Sequence, residues 1–353
     1  MGEIPDPSDS KGTLDVGDGE RPVRIFSRFH PAVWRAALSV AIFGIAFSQI
    51  DPRAFGFALA GSRPTALALG FLSALIGVLF LRAVKFWLIL RLQGLQISGP
   101  HVLWLASVSQ FFGFALPGTL GSDAWRIYYL SQRSHRAGFA IVAVVMDRVS
   151  GFVGQMMTIL LASVFLGGAI LEVDLLAAMA VWSGVALAAT ACLGSRKIVR
   201  SLGRLPLLRR PRVSHHLSEI QEGFSLFRRL PLGSLGVLFL ATLGQSFWAL
   251  SIFVVGRDLG VSFLYFWFFV PLADGVAALP ITLSGLGLRD VAYVTFFGSL
   301  GVPPESMLAL SVTALGFLIL IRLLGGLTYL IPVPFHERDL RFVSEPTQTT
   351  ASS

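Results

Sequence analysis

Charge is what this chain has least of: Asp, Glu, Lys and Arg make up 14% of its 353 residues, against roughly 25% in an ordinary soluble domain. Cysteine is rarer still. Cys192 stands alone, so neither an internal disulfide framework nor a cysteine metal cluster can be built from one chain. The six histidines, His30, His101, His135, His215, His216 and His336, show no i, i+4 ligand spacing, and no metal site is expected from them. The chain also lacks a Gly-x-x-x-x-Gly-Lys phosphate loop, a Ser-His-Asp set with arguable geometry, and paired carboxylates standing apart from arginine. Catalysis and a bound cofactor are therefore not expected. The amino end carries no basic, apolar leader: residues 1–24 hold Asp6, Asp9, Asp15, Asp18 and Glu20 among Pro, Gly and Ser, which reads as a disordered cytoplasmic tail.

Apolar residues fill the space that charge leaves. They make up 54% of the chain, mean hydropathy is +0.73, and long apolar runs recur, so the expected class is an all-α polytopic membrane protein. The net charge of +8 comes from arginine in loops, where it encodes orientation and contact with anionic lipid; nucleic acid is not an expected partner.

Taken in order, spans are expected near 33–50 and 65–81, with Arg82, Lys85 and Arg91 marking a cytoplasmic end and Trp87 at the interface. His101 to Leu116 is apolar but too short to cross, and from Ala124 the chain returns to the side it came from. A long run, Ala137 to Ile170, ends outside at Glu172 and Asp174, and Leu175 to Leu193 comes back. The segment from Arg196 to Arg229 holds nine Lys or Arg against two Glu, which places the basic loop 194–231 in the cytoplasm. Leu232 to Gly256 crosses outward, Val261 to Leu279 and Leu288 to Leu300 flank a second break, and Met307 to Ile331 returns inside. The total is six full crossings plus two re-entrant hairpins, eight spans to a count blind to hairpins. The domain limits are a membrane domain over 25–334, with repeat units at about 33–170 and 175–331, and a cytoplasmic tail at 335–353.

The two breaks resemble each other. Leu116-Pro-Gly-Thr-Leu-Gly-Ser-Asp-Ala-Trp-Arg126 returns 163 residues later as Leu279-Pro-Ile-Thr-Leu-Ser-Gly-Leu-Gly-Leu-Arg289, with six identities in the twelve positions from Ala115. Each copy interrupts an apolar run with Pro117, Gly118 and Gly121, or with Pro280, Gly285 and Gly287, and reaches an Arg nine residues after its Pro. Loop charges put the two copies on opposite faces, the inverted repeat of alternating-access transporters, whose site lies between the broken segments. Backbone that is not helical at membrane depth must be buried in protein or line a wet cavity, so a pocket is implied.

These two motifs, with Met146-Asp147-Arg148-Val149-Ser150-Gly151 between them, resemble the flippase-like family, which comprises the transmembrane region of lysylphosphatidylglycerol synthase and its stand-alone relatives. The resemblance covers roughly Arg28 to Pro334. It implies a lipid-handling domain in the bacterial cytoplasmic membrane, with both termini cytoplasmic, that moves a lipid headgroup across the bilayer. Ser122 stands where the family often has Gly, and Asp290 where it commonly has Glu; both keep the small or acidic character. About twenty residues follow the last span, so the resemblance gives no ground for aminoacyl transfer.

Asp123, Arg126, Asp147, Arg148, Asp274, Arg289, Asp290 and Arg322 lie in or beside apolar segments, where a charge costs at least about 2.5 kcal/mol. On the functional reading Arg126 and Arg289 offer guanidinium forks to a phosphate-bearing headgroup, aided by Thr119, Thr282 and Ser284, with Asp147, Arg148 and Asp274 behind them or coupling protons. On the structural reading Asp123 with Arg126 and Arg289 with Asp290 brace the hairpin tips, Asp147 with Arg148 is a juxtamembrane salt bridge, and the hydroxyls satisfy local backbone. The aromatic run Phe263 to Phe269 reads as a lipid-facing belt or as an acyl-chain path. Besides a translocase for phospholipid or glycolipid, two roles fit: a catalytic or non-catalytic accessory to aminoacyl-lipid, hopanoid or polyprenyl-linked lipid biosynthesis, partnered with a lipid-synthesis enzyme or glycosyltransferase, and a scaffold acting through the basic loop from Arg196 to Arg212.

Overall fold

The computed structural model describes residues 63–114, 120–134, 136–167, 231–277, 287–331 and 341–342. Among the described residues, four helices are long and apolar enough to cross a membrane: α1 (Pro64–Leu92), α4 (Ala137–Phe165), α5 (Pro231–Gly256, continued by a 3-10 turn to Leu259) and α8 (Pro304–Leu330). At about 1.5 Å per residue they reach roughly 40 Å, more than the ~30 Å hydrocarbon layer. The other four are short: α2 (Gly99–Phe112), α3 (Leu120–Ser134), α6 (Phe263–Ala277) and α7 (Leu288–Gly298). None of these spans the layer alone. The chain is an all-α membrane protein, and the one strand pair among the described residues is the two-residue ladder of β1 (Leu95–Gln96) and β2 (Arg341–Phe342). The expected spans at 33–50 and 175–193, and the basic loop up to residue 230, lie outside the described residues.

Three boundaries differ from the sequence reading. The span expected to stop at Leu81 continues through Arg82 and Lys85 to Leu92, because both cations find a carboxylate, Asp147, on α4 and need not reach water. The run expected to reach Ile170 stops as a helix at Phe165, where Gly167 turns the chain with φ 73°, a conformation that glycine adopts without steric cost. The helix after the first break begins at Leu120, ahead of Ala124.

The short helices pair as two antiparallel hairpins. In the first, the beginning of α2 meets the later part of α3, with His101 bonded to the Tyr129 hydroxyl at 3.0 Å, while the end of α2 meets the start of α3, with Phe112 stacked on Trp125 at 4.1 Å. In the second, Phe266 and Phe269 near the start of α6 pack on Phe297 at the end of α7, at 4.8 and 5.2 Å. The hairpins open at opposite ends of the bundle. The mouth of the first lies with the end of α8, where Trp104 donates to the Thr328 carbonyl at 3.1 Å. The mouth of the second lies with the ends of α4 and α5, where Trp267 meets Phe165 and Phe263 meets Phe253.

Small residues let the long helices approach closely, as is usual for helix contacts in lipid. A Cβ on Gly77 would sit 2.7 Å from the Gly244 carbonyl oxygen, and one on Gly154 would sit 2.5 Å from the Ala241 Cβ. Gly325 of α8 lies against the Ser107 carbonyl of α2. Within α1, Leu75–Leu81 is π-helical, a wide turn immediately before Arg82. Pro271 sits inside α6, and its carbonyl accepts from Gln155 of α4 at 2.5 Å.

Candidate functional site

The first turn of α3 carries Asp123 and Arg126 three residues apart, on one helix face, and their side chains join at 3.0 Å. Arg126 reaches further, donating to Asp147 of α4 at 2.7 Å, with its guanidinium 5.0 Å from the centre of the Phe86 ring. Asp147 is fully enclosed. Lys85 approaches its other oxygen at 3.0 Å and donates to its main-chain carbonyl at 2.9 Å, while Arg82 stands 3.9 Å away. Arg148, one residue along α4, turns instead to Asp123, at 2.6 and 2.8 Å. Four cations thus share two carboxylates beside the tip of the first hairpin. Such burial is tolerable only because each carboxylate meets more than one donor; removing a single partner would strand the rest.

Near the tip of the second hairpin Arg289 faces Asp274 of α6 at 3.4 Å, and Trp248 of α5 donates to the same carboxylate at 2.6 Å. Asp290 accepts from Ser311 of α8 at 2.5 Å and from the Gly287 amide at 3.3 Å, where Gly287 has φ 79° and caps α7. The hydroxyl of fully buried Tyr293 has no hydrogen-bond partner among the described residues. Arg322 of α8 lies over the Phe114 ring at 4.9 Å.

Two expected pairings are corrected by this geometry. Arg289 pairs with Asp274 and not with Asp290, because consecutive residues on a helix point about 100° apart and Asp290 is drawn to Ser311 and the helix cap. Asp147 and Arg148 do not bridge each other for the same reason; each crosses to the first hairpin, Asp147 to Arg126 and Arg148 to Asp123. The aromatic run is no simple lipid-facing belt either: Phe266, Phe268 and Phe269 are buried in the core against α7. Pro117, Gly118, Thr119, Pro280, Thr282, Ser284 and Gly285 lie outside the described residues, whereas Gly121 is buried in the first turn of α3.

Sequence reasoning placed Asp123, Arg126, Asp147 and Arg148 in the site but read Arg82 and Lys85 as the end of a span. Their i, i+3 spacing inside an apolar helix was the available signal. Trp248 and Ser311 carried none.

The lysylphosphatidylglycerol synthase TM region matches residues 32–326, most of the chain and every residue of both clusters. The chain belongs to that family. No curated protein matches it. As a member of the lysylphosphatidylglycerol synthase TM region family, it is a membrane protein with a lipid-related role.

Proposed function

We propose that the protein is a lipid translocase, carrying an anionic or glycolipid headgroup across the bacterial cytoplasmic membrane through a cavity between two re-entrant hairpins. The observation that carries this reading is a surplus of cations inside the helix bundle among the described residues: Arg82, Lys85, Arg126, Arg148, Arg289 and Arg322 stand against Asp123, Asp147, Asp274 and Asp290. Uncompensated charge is costly in hydrocarbon, and an anionic headgroup is the ligand that offsets it. Hairpins opening at opposite ends give each leaflet its own approach, as alternating access requires.

Within this reading the arginines divide the work. Arg126, 4% exposed and held by two carboxylates, shapes the wall beside the first hairpin; Arg289 donates no hydrogen bond to a described residue and meets the headgroup from α7. The end of the bundle carrying Arg91, Arg133 and Arg136, each over an aromatic ring, is the cytoplasmic one by the excess of basic residues there. Both termini are cytoplasmic on this reading.

The test uses vesicles holding the full chain and a headgroup-labelled phosphatidylglycerol, with movement read by a quencher that cannot cross the bilayer. Wild type should expose inner-leaflet label faster than protein-free vesicles, and Arg289→Ala should lower that rate at least about tenfold. Equal rates for wild type and empty vesicles would end the translocase reading. Recovery of chemically altered lipid would establish an enzyme instead.

A further inference from the structure

The arginines of the site fall into two kinds. Arg126 and Arg148 are fixed by hydrogen bonds to carboxylates, at 2.7 to 3.0 Å. Arg82, Arg289 and Arg322 donate no hydrogen bond to any described residue. Arg82 and Arg289 have only a looser ion pair each, at 3.9 and 3.4 Å, and Arg322 has no carboxylate partner among the described residues. Among the described residues, the charged groups near enough to act on buried Arg322 are Arg289 and Arg82, and both repel it. A guanidinium has five N–H donors and keeps its charge, so it cannot escape such a place by losing a proton.

The position of Arg322 matches that electrostatic role. On α8 it stands eleven residues beyond Ser311, which is about three turns and so nearly the same helix face. Ser311 touches Asp290 in the second cluster, while Arg82, beside Asp147, belongs to the first. On its other side, the Phe114 ring beneath Arg322 directly follows α2, and Gln110 of α2 donates to the Val78 carbonyl of α1 at 3.5 Å, four residues before Arg82, so Arg322 stands between the two clusters. The ring of Phe114 supplies the one described contact to its guanidinium, and it is a weak one beside a full anionic partner.

We propose that Arg322, together with Arg82 and Arg289, forms a three-arginine anion seat among α8, α1 and α7, and that its occupant is the phosphate of a lipid headgroup. The seat rests on the translocase reading for its occupant but not for its chemistry. Arg322 alternates between sharing the phosphate with Arg82 on one side and with Arg289 on the other, and Arg126 stays engaged with its carboxylates throughout.

Equilibrium binding to the purified full chain in nonionic detergent tests this, with short-chain phosphatidylglycerol as probe, and matched diacylglycerol and inorganic phosphate as controls. Wild type should bind phosphatidylglycerol and not diacylglycerol; Arg322→Ala should weaken binding about tenfold or more, and Arg322→Lys, keeping charge without the fork, should fall between them. Arg322→Leu should unfold at a higher temperature than wild type when no lipid is bound, since it removes an unpaired cation. Wild-type affinity in Arg322→Ala, or a lower unfolding temperature in lipid-free Arg322→Leu, overturns the seat. Inorganic phosphate competing as strongly as the lipid supports the seat and overturns the lipid as its occupant. If these results hold while wild-type vesicles move no lipid, the translocase reading falls and the seat stands.

Discussion

Asp147 has no exposed side-chain surface and draws Arg126, Lys85 and Arg82 toward it from two other helices. Replacing it with Asn keeps the shape and removes the charge, leaving buried Lys85 without a carboxylate and Arg126 with Asp123 alone. Asp147→Asn should destabilise the protein by about 3–5 kcal/mol, read as a lower unfolding midpoint in detergent. Asp123→Asn should cost much less, because Asp123 and its partner Arg148 are 16% and 26% exposed and solvent screens them. Equal midpoints for the two variants would show that Asp147 does not organise the cluster. The members of this cluster were legible as charges misplaced in apolar sequence, but their partners were not. Which carboxylate an arginine reaches depends on how neighbouring helices are rotated, and adjacent residues such as Asp147 and Arg148 diverge by a helical turn angle that a linear motif conceals.

At the scale of the element, the short apolar runs beside the duplicated Pro and Gly announce helices that cannot cross alone. The π-helical stretch Leu75–Leu81 was not legible, since LIGVLFL reads as uninterrupted span and nothing in its composition separates a wide turn from a regular one. The continuation of α1 past Arg82 was hidden for a related reason: a basic residue in sequence looks like the water's edge until its buried acid is found. Helix seams give a sharper test. At Gly154 a methyl group would meet the Ala241 Cβ at 2.5 Å and its carbonyl carbon at 2.8 Å, whereas at Gly298 nothing lies within 4 Å. Gly154→Ala should destabilise by about 1–3 kcal/mol through forced separation of α4 and α5, while Gly298→Ala should be neutral or slightly stabilising. Thermal unfolding of both variants side by side decides it, and a tolerated Gly154→Ala would mean the seam yields.

On the scale of the whole molecule, the all-α membrane class followed from composition. The contact between Asp290 and Ser311 of α8 did not, because it depends on which long helix packs against α7. Helices α1 and α5 meet differently from the rest. Gly70 faces the Ser251 carbonyl, Gly77 and Gly244 face each other's carbonyls, the Ser73 hydroxyl bonds the Phe247 carbonyl at 2.8 Å, and Arg63 reaches Asp258 at 3.4 Å. Backbones seated this closely, and buttoned along their length, cannot slide or rock past one another without large clashes. They act as a keel, and any motion that admits cargo from alternate sides must be carried by the parts that lean on it. Cysteines at Arg63 and Asp258 joined by a short bifunctional reagent should therefore leave lipid movement at its uncross-linked rate; a stalled protein would mean that the keel itself bends.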